Sequence, residues 1–162
     1  MVSSYFETRF RKFCWFLWAN WCGGLVHPTQ VGEAEPLNRF LLNRHEFGTN
    51  PPRVTHHAFM PNLNRKVGRL EKSIHRIRGL SSARVWQLGR LFVEQRVNSR
   101  TIKARAVGGP RVVVAAGLGF RVGGSPWPRH TDIVGWPSEK DRQKLLAMEV
   151  AAEFSFEEAE GS

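Results

Sequence analysis

A chain of 162 residues with 41% apolar and 23% charged side chains fits one domain and can bury a core without disulfide or metal staples. Its net charge of +10, from 24 Lys/Arg against 14 Asp/Glu, points to a polyanion, an acidic protein or an anionic membrane surface as partner. Its two cysteines, Cys14 and Cys22, form no CxxC or Cys/His ligand spacing, which argues against zinc and redox motifs and makes a reducing, cytoplasmic setting the default.

The charge is uneven. Residues 65–111 hold thirteen Lys/Arg against two acids, Glu71 and Glu94, while residues 137–162 hold three Lys/Arg against seven Asp/Glu. The basic block reads equally well as a nucleic-acid surface and as the by-product of an arginine-favouring composition, since eighteen of the basic residues are Arg.

Residues 1–36 read as a poorly structured extension. Arg9, Arg11 and Lys12 precede Phe13-Cys14-Trp15-Phe16-Leu17-Trp18-Ala19, a basic-then-apolar order that invites a signal-peptide or interfacial-anchor reading. The run is Trp-rich, is followed by no small-x-small cleavage site and is far shorter than the roughly 20 residues that span a bilayer. Gly32 to Pro36 is a linker, and Leu37 to Leu42 is either a short buried strand or a helical turn. After Pro51-Pro52, residues 53–60 are expected to be extended, with His56 and His57 on opposite faces. Residues 62–68 follow as a polar loop.

Ile74 and Ile77 mark a strand over 72–77, and Gly79 ends it. Ser81 then caps a helix over 81–94, with Val85, Leu88 and Phe92 on one face. Residues 101–106 alternate like a strand that puts Lys103 and Arg105 on one face. Gly108-Gly109-Pro110 is a turn and no phosphate loop, having neither the GxxxxGK[ST] nor the GxGxxG spacing. Residues 111–116 are open between a buried strand and a short helix, 118–122 read as a strand, and 123–128 as a Gly/Pro connector.

The chain is organised around Arg129-His130-Thr131-Asp132-Ile133-Val134-Gly135-Trp136-Pro137, extended until Pro137 forces a turn into a helix over 138–154. Ser138 is the expected N-cap, and Asp141 completes a weak capping box. Leu145, Met148 and Ala152 share a face that Leu146 and Val150 widen, and Arg142, Glu149 and Glu153 mark the single wet stripe, so most of this helix should be packed. Residues 157–162 read as a disordered acidic tail.

His130 and Asp132, at a strand end before a helix, either close the turn by hydrogen bonding or belong to a site. None of the six histidines lies in an HExxH or other metal-ligand spacing, so no metal or cofactor is implied. A metal-free ribonuclease needs one histidine as base, one as acid and a cation on the phosphate. The candidates are His130 with His57 or His75, Asp132 as orienting carboxylate, and Arg76 or Arg129. For nucleic-acid binding, the candidate contacts are Arg76, Arg84, Arg90, Lys103, Arg105 and Arg129.

Arg129-His130, Ile133, Gly135-Trp136-Pro137, Lys140, Lys144, Ala147 and Val150-Ala151 together resemble the C-terminal signature of a family of small bacterial and phage-borne proteins. The segments Ala58-Phe59-Met60-Pro61, His75-Arg76-Ile77-Arg78-Gly79-Leu80-Ser81 and Val85-Trp86-Gln87-Leu88-Gly89 are similar to its central part. The resemblance covers about residues 37–154 and implies a domain start near Leu37; it carries no activity.

The expectation is a small single α+β domain over 37–156, of short, mostly antiparallel strands with two main helices (81–94 and 138–154). Three functions from different classes remain open. The first is a small cytoplasmic bacterial or phage accessory protein that binds nucleic acid through arginine-rich surface. The second is a small metal-independent nuclease or toxin using His130 and a second histidine. The third is an interaction module for an acidic protein partner. No transmembrane segment is expected.

Overall fold

Strand β1 (Leu37–Leu41) lies at the middle of the molecule. Leu37 and Leu41 point one way and Phe40 the other, and all three are almost wholly buried, so the strand is covered on both faces. The computed structural model describes residues 9–14, 30–94, 100–122 and 129–159. The tryptophan run of Trp15, Trp18 and Trp21, the 123–128 connector and Glu160 lie outside the described residues.

Antiparallel to β1 run β5 (Arg69–Arg76) on one edge and β6 (Ala104–Gly108) on the other. Beyond β5 the sheet continues with β8 (His130–Val134) and β7 (Gly119–Val122), and beyond β6 with β9 (Ser155–Glu158). The start of β5 also forms a hairpin with β4 (Asn62–Asn64). A separate ribbon joins β2 (Phe47–Thr49) to β3 (Pro52–Val54). Residues 9–14 are helical, and the helices that follow are α1 (Ser82–Leu88), extended by a π-turn over Gly89–Val93, the short α2 (Pro110–Ala115) and α3 (Lys140–Ala152). The protein is a small α+β domain with an antiparallel sheet of short strands and two helices of seven residues or more.

The register divides the sheet into two faces. Leu37, Leu41, Ile74, Ala104, Ala106 and Ile133 form one, packed against Ala147, Val150 and Ala151 of α3 and against Phe59 and Phe154. On the other, Phe40 meets Val85, Leu88 and Phe92, with Ile77 and Ile102 at the margin. The π-turn comes so close to the sheet that a Cβ on Gly89 would stand 2.5 Å from Ile102 Cδ1 and 2.7 Å from Phe40 Cε1. A side chain there would have to displace Ile102 and Phe40.

Several elements differ from the sequence reading. Residues 53–60 are extended only as far as Thr55; His56 and His57 then sit in a 3-10 turn over His56–Ala58. The polar loop at 62–68 is the outer strand and turn of the β4–β5 hairpin. Ser81 does cap α1, accepting from Arg84 N, but the regular helix ends at Leu88 because the chain tightens onto the sheet at Gly89. Residues 110–115 resolve as helix, begun by Pro110, which supplies the preset φ of a first helical turn.

Ser138 is not the N-cap of α3. Glu139 occupies that position without a side-chain cap, while Ser138 Oγ bonds to Glu139 and Gln143 Nε2 returns to the carbonyls of Pro137 and Ser138. The packed side of α3 is Gln143, Ala147, Val150 and Ala151; Leu145 and Met148 are 60% and 49% exposed. On its packed side the helix runs close to the 3-10 turn over His56–Ala58. Glu157 and Glu158, expected in a disordered tail, belong to β9 and pair with Arg105 and Ala104 of β6.

Candidate functional site

Cross-strand pairing brings two of the candidate histidines together. His75 of β5 lies directly opposite His130 of β8, with ring centroids 5.8 Å apart and the planes at 82°. Two residues along the same strand return to the same face, so Asp132 follows His130, and His130 Nε2 stands 3.4 Å from Asp132 Oδ1. Ser73, opposite Asp132 on β5, donates through Oγ to Asp132 Oδ1 at 3.3 Å. Arg121 of β7, also opposite Asp132, donates through Nη2 to Asp132 Oδ2 at 2.8 Å and to Glu71 Oε2 at 2.7 Å. Asn64 donates to the other oxygen of Glu71.

On its other side His75 meets Phe40, at 5.2 Å between centroids, and lies opposite Asn38 of β1, which is wholly buried. The Asn38 amide makes no hydrogen bond among the described residues. Burial above all, then the neighbouring His130 and Arg39, push the His75 imidazole well below the usual histidine range, so it is neutral at physiological pH. A neutral imidazole beside a second ring whose nitrogen faces a carboxylate is equipped to move a proton. The side chains of His130 and Asp132 are only 8% and 3% exposed, so a substrate would reach little more than a ring edge.

The other candidates lie elsewhere. His57 lies against His56, with centroids 4.0 Å apart, and edge-on to His45 at 5.2 Å, and takes no part in the His75–His130 pair. His56 is lowered by partial burial and then by the nearby His57 and Lys144. Among the described residues no group of three or more His, Cys, Asp or Glu is placed to hold a metal ion. Arg76 points to the opposite face of β5 from His75, where Nε and Nη2 grip the two oxygens of the buried Glu35 at 2.8 Å each. Arg129, in a left-handed conformation at φ 61°, donates to Arg78 O and is largely buried. The cation bonded directly to Asp132 is instead Arg121. The sequence signal for it was a lone charge inside the apolar run 118–122.

Arg84, Arg90 and Lys103 are exposed. Arg105 is not: it lies under Trp86, 5.0 Å from the ring centroid, and donates to Glu157 at 2.8 Å and to Ser82. Lys72, on the apolar face of β5, was not singled out by sequence. It is 5% exposed, and burial, then the nearby Arg39, lower it to about 7 against the pull of Glu46. Arg39 itself donates to Ala58 O, Ser73 O and Glu46.

An open cleft of about 690 Å³ separates the β4–β5 hairpin from the junction of β8 and α3, with Leu63, Leu70, Val134, Trp136 and Arg69 in its walls. Among the described residues no helix is long and apolar enough to cross a membrane. Comparison with protein-family models, curated proteins and solved structures finds no match.

Proposed function

We propose that the protein binds nucleic acid through its exposed arginine and lysine side chains, acting as a small cytoplasmic accessory protein of a bacterium or phage. The observation that carries this is the exposure of most basic residues of 65–111 beside acids that are already paired. Glu35, Glu46, Glu71, Asp132 and Glu157 are held by Arg76, Arg39, Arg121 and Arg105, all within the sheet and its flanks. Of the twelve described basic residues in 65–111, nine are exposed. The two acids of that block are engaged, Glu71 by Asn64 and Arg121 and Glu94 by Ile102 N, so the exposed cations are little offset within it. Arg84→Glu, Arg90→Glu and Lys103→Glu combined should weaken binding to a labelled oligonucleotide for every sequence alike. They should also flatten its dependence on salt, because each phosphate no longer neutralised removes about 0.9 from the logarithmic slope. Unchanged affinity in this triple variant would remove those side chains from the interface. Binding to an acidic protein but to no oligonucleotide would favour the interaction-module reading.

A second reading rests on the His75–His130 register: general acid–base cleavage of RNA, with the neutral His75 as base and His130, facing Asp132, as acid. His130→Ala and His75→Ala would each abolish cleavage of a labelled RNA while leaving its salt-dependent binding intact. If wild-type protein leaves the RNA uncut, the pair is structural.

A further inference from the structure

We propose that the β4–β5 hairpin is a two-stranded ribbon that enters the major groove of duplex DNA. This inference rests on the nucleic-acid reading above and assigns it a binding element and a form of nucleic acid. The hairpin pairs Asn62 with Glu71, Leu63 with Leu70 and Asn64 with Arg69. Its turn is held by Asn64, whose carbonyl accepts from Val67 N at 3.2 Å and Gly68 N at 2.9 Å and whose Oδ1 accepts from Lys66 N at 3.1 Å. Gly68 supplies the positive φ, 65°, that closes the turn. A tip fixed in this way presents its side chains without much further loss of entropy on binding.

Those side chains are the wrong kind for a merely solvated turn. Arg65, Lys66 and Arg69 are exposed, and so are Leu63 at 59% and Val67 at 44%. The single acid at the base, Glu71, is already bound by Asn64 and Arg121, so the positive charge of the tip is not cancelled. The open cleft on the α3 side separates the tip from the body, leaving the ribbon room to be enclosed. A two-stranded ribbon fits the major groove of B-form DNA, about 12 Å wide, where arginine and lysine reach phosphates and base edges and aliphatic groups meet thymine methyls. The deep, narrow major groove of A-form RNA does not admit it.

The experiment measures fluorescence anisotropy of a labelled 20-base-pair DNA duplex, the same single strand and the matching RNA duplex, each titrated with the full chain at several salt concentrations. Wild type should bind the DNA duplex most tightly. Arg65→Glu with Lys66→Glu should weaken that complex at least tenfold and reduce the salt slope by about two, one for each phosphate left without its cation. The single strand should change less than threefold. Leu63→Ser with Val67→Ser should weaken the duplex complex at least threefold with the salt slope unchanged, which a purely electrostatic surface would not show. All four side chains are exposed and the turn is held by Asn64, and circular dichroism of each variant checks that the fold is kept. Hairpin variants that bind the duplex within twofold of wild type, or that lose duplex and single strand alike, overturn the inference while leaving the nucleic-acid reading in place. Wild type that binds no nucleic acid, or only vesicles of phosphatidylserine and phosphatidylcholine, overturns both.

Discussion

Lys72 lies between Leu70 and Ile74 on β5, facing the apolar core with 5% of its surface exposed. Its ammonium is therefore the costly form, and its affinity for a proton falls from the ordinary 10.5 to about 7. Below pH 7 the folded and unfolded chains both carry the proton, so this group adds no pH dependence there. Between pH 7 and 10.5 the unfolded chain binds it more tightly, so stability rises with pH across that window. Lys72→Met should stabilise the protein at pH 7 by about 1–5 kcal/mol, the upper figure being the full linkage at about 1.4 kcal/mol for each tenfold change in proton affinity. Urea titrations at pH 7 and pH 10 check it: wild type should gain with pH and the variant should not, and a variant less stable at pH 7 would show that the lysine is anchoring Glu46. His75 adds a second window. Its folded form loses the proton more readily than the usual 6.5, so its contribution is full above pH 6.5 and is lost as the pH falls below it. Neither residue could be ranked from sequence by type alone. The strand around His75 was legible, as was its candidacy, but the partner that lowers it, His130, is brought in by register, and register depends on which strand lies next to which.

At the scale of elements, short-range signals served best where one side chain decides the conformation, as with Ser81 at the start of α1 and Pro110 at the start of α2. They failed where packing decides. Helix α3 spreads Leu145, Leu146, Met148 and Val150 around its circumference with charges between them, so the wheel misled, and the choice of Leu145 and Met148 as the packed side was wrong because Ala147, Val150 and Ala151 face the core and the helix runs close to the turn over His56–Ala58. Strand β9 was missed because its sequence, Ser155-Phe156-Glu157-Glu158, is acidic; Phe156 packs against the core and Glu157 finds Arg105, which sequence proximity cannot reveal. The contrast between the two ends of the β8–α3 segment is measurable. Leu145→Lys with Met148→Lys should change stability by no more than about 0.5 kcal/mol each, as expected of exposed positions. Trp136→Ala should cost about 3–5 kcal/mol, because the ring is 8% exposed and its Nε1 donates to Ile133 O at 3.0 Å. Comparable destabilisation in the two variants, read by chemical denaturation, would mean that α3 is packed on the side first expected.

For the molecule as a whole, the antiparallel α+β architecture followed from short alternating runs separated by Gly and Pro, but the join between the extension and the domain did not. Glu35 looked like the last polar residue of a linker. It is 2% exposed, accepts from Arg76 at 2.8 Å through both oxygens and from Gly32 N at 3.1 Å, and the neighbouring Pro36 carbonyl accepts from Ile77 N at 2.9 Å. Arg76 also donates to Gln30 O at 2.6 Å. Residues 30–36 thus close the end of β5, through a contact 41 residues apart in the chain that no local pattern announces. Breaking a buried ion pair by removing one partner costs about 3–5 kcal/mol, since the remaining charge keeps its desolvation penalty without its counter-ion. A chain beginning at Leu37 should therefore melt roughly 10–20 °C below one beginning at Gln30, given a few degrees for each kcal/mol in a domain of this size. Glu35→Gln in the full chain should reproduce much of that drop and separate the ion pair from the other contacts of residues 30–36. If the chain starting at Leu37 melts with the full chain, Arg76 has found an equivalent partner or water, and the domain begins where the sequence alone placed it.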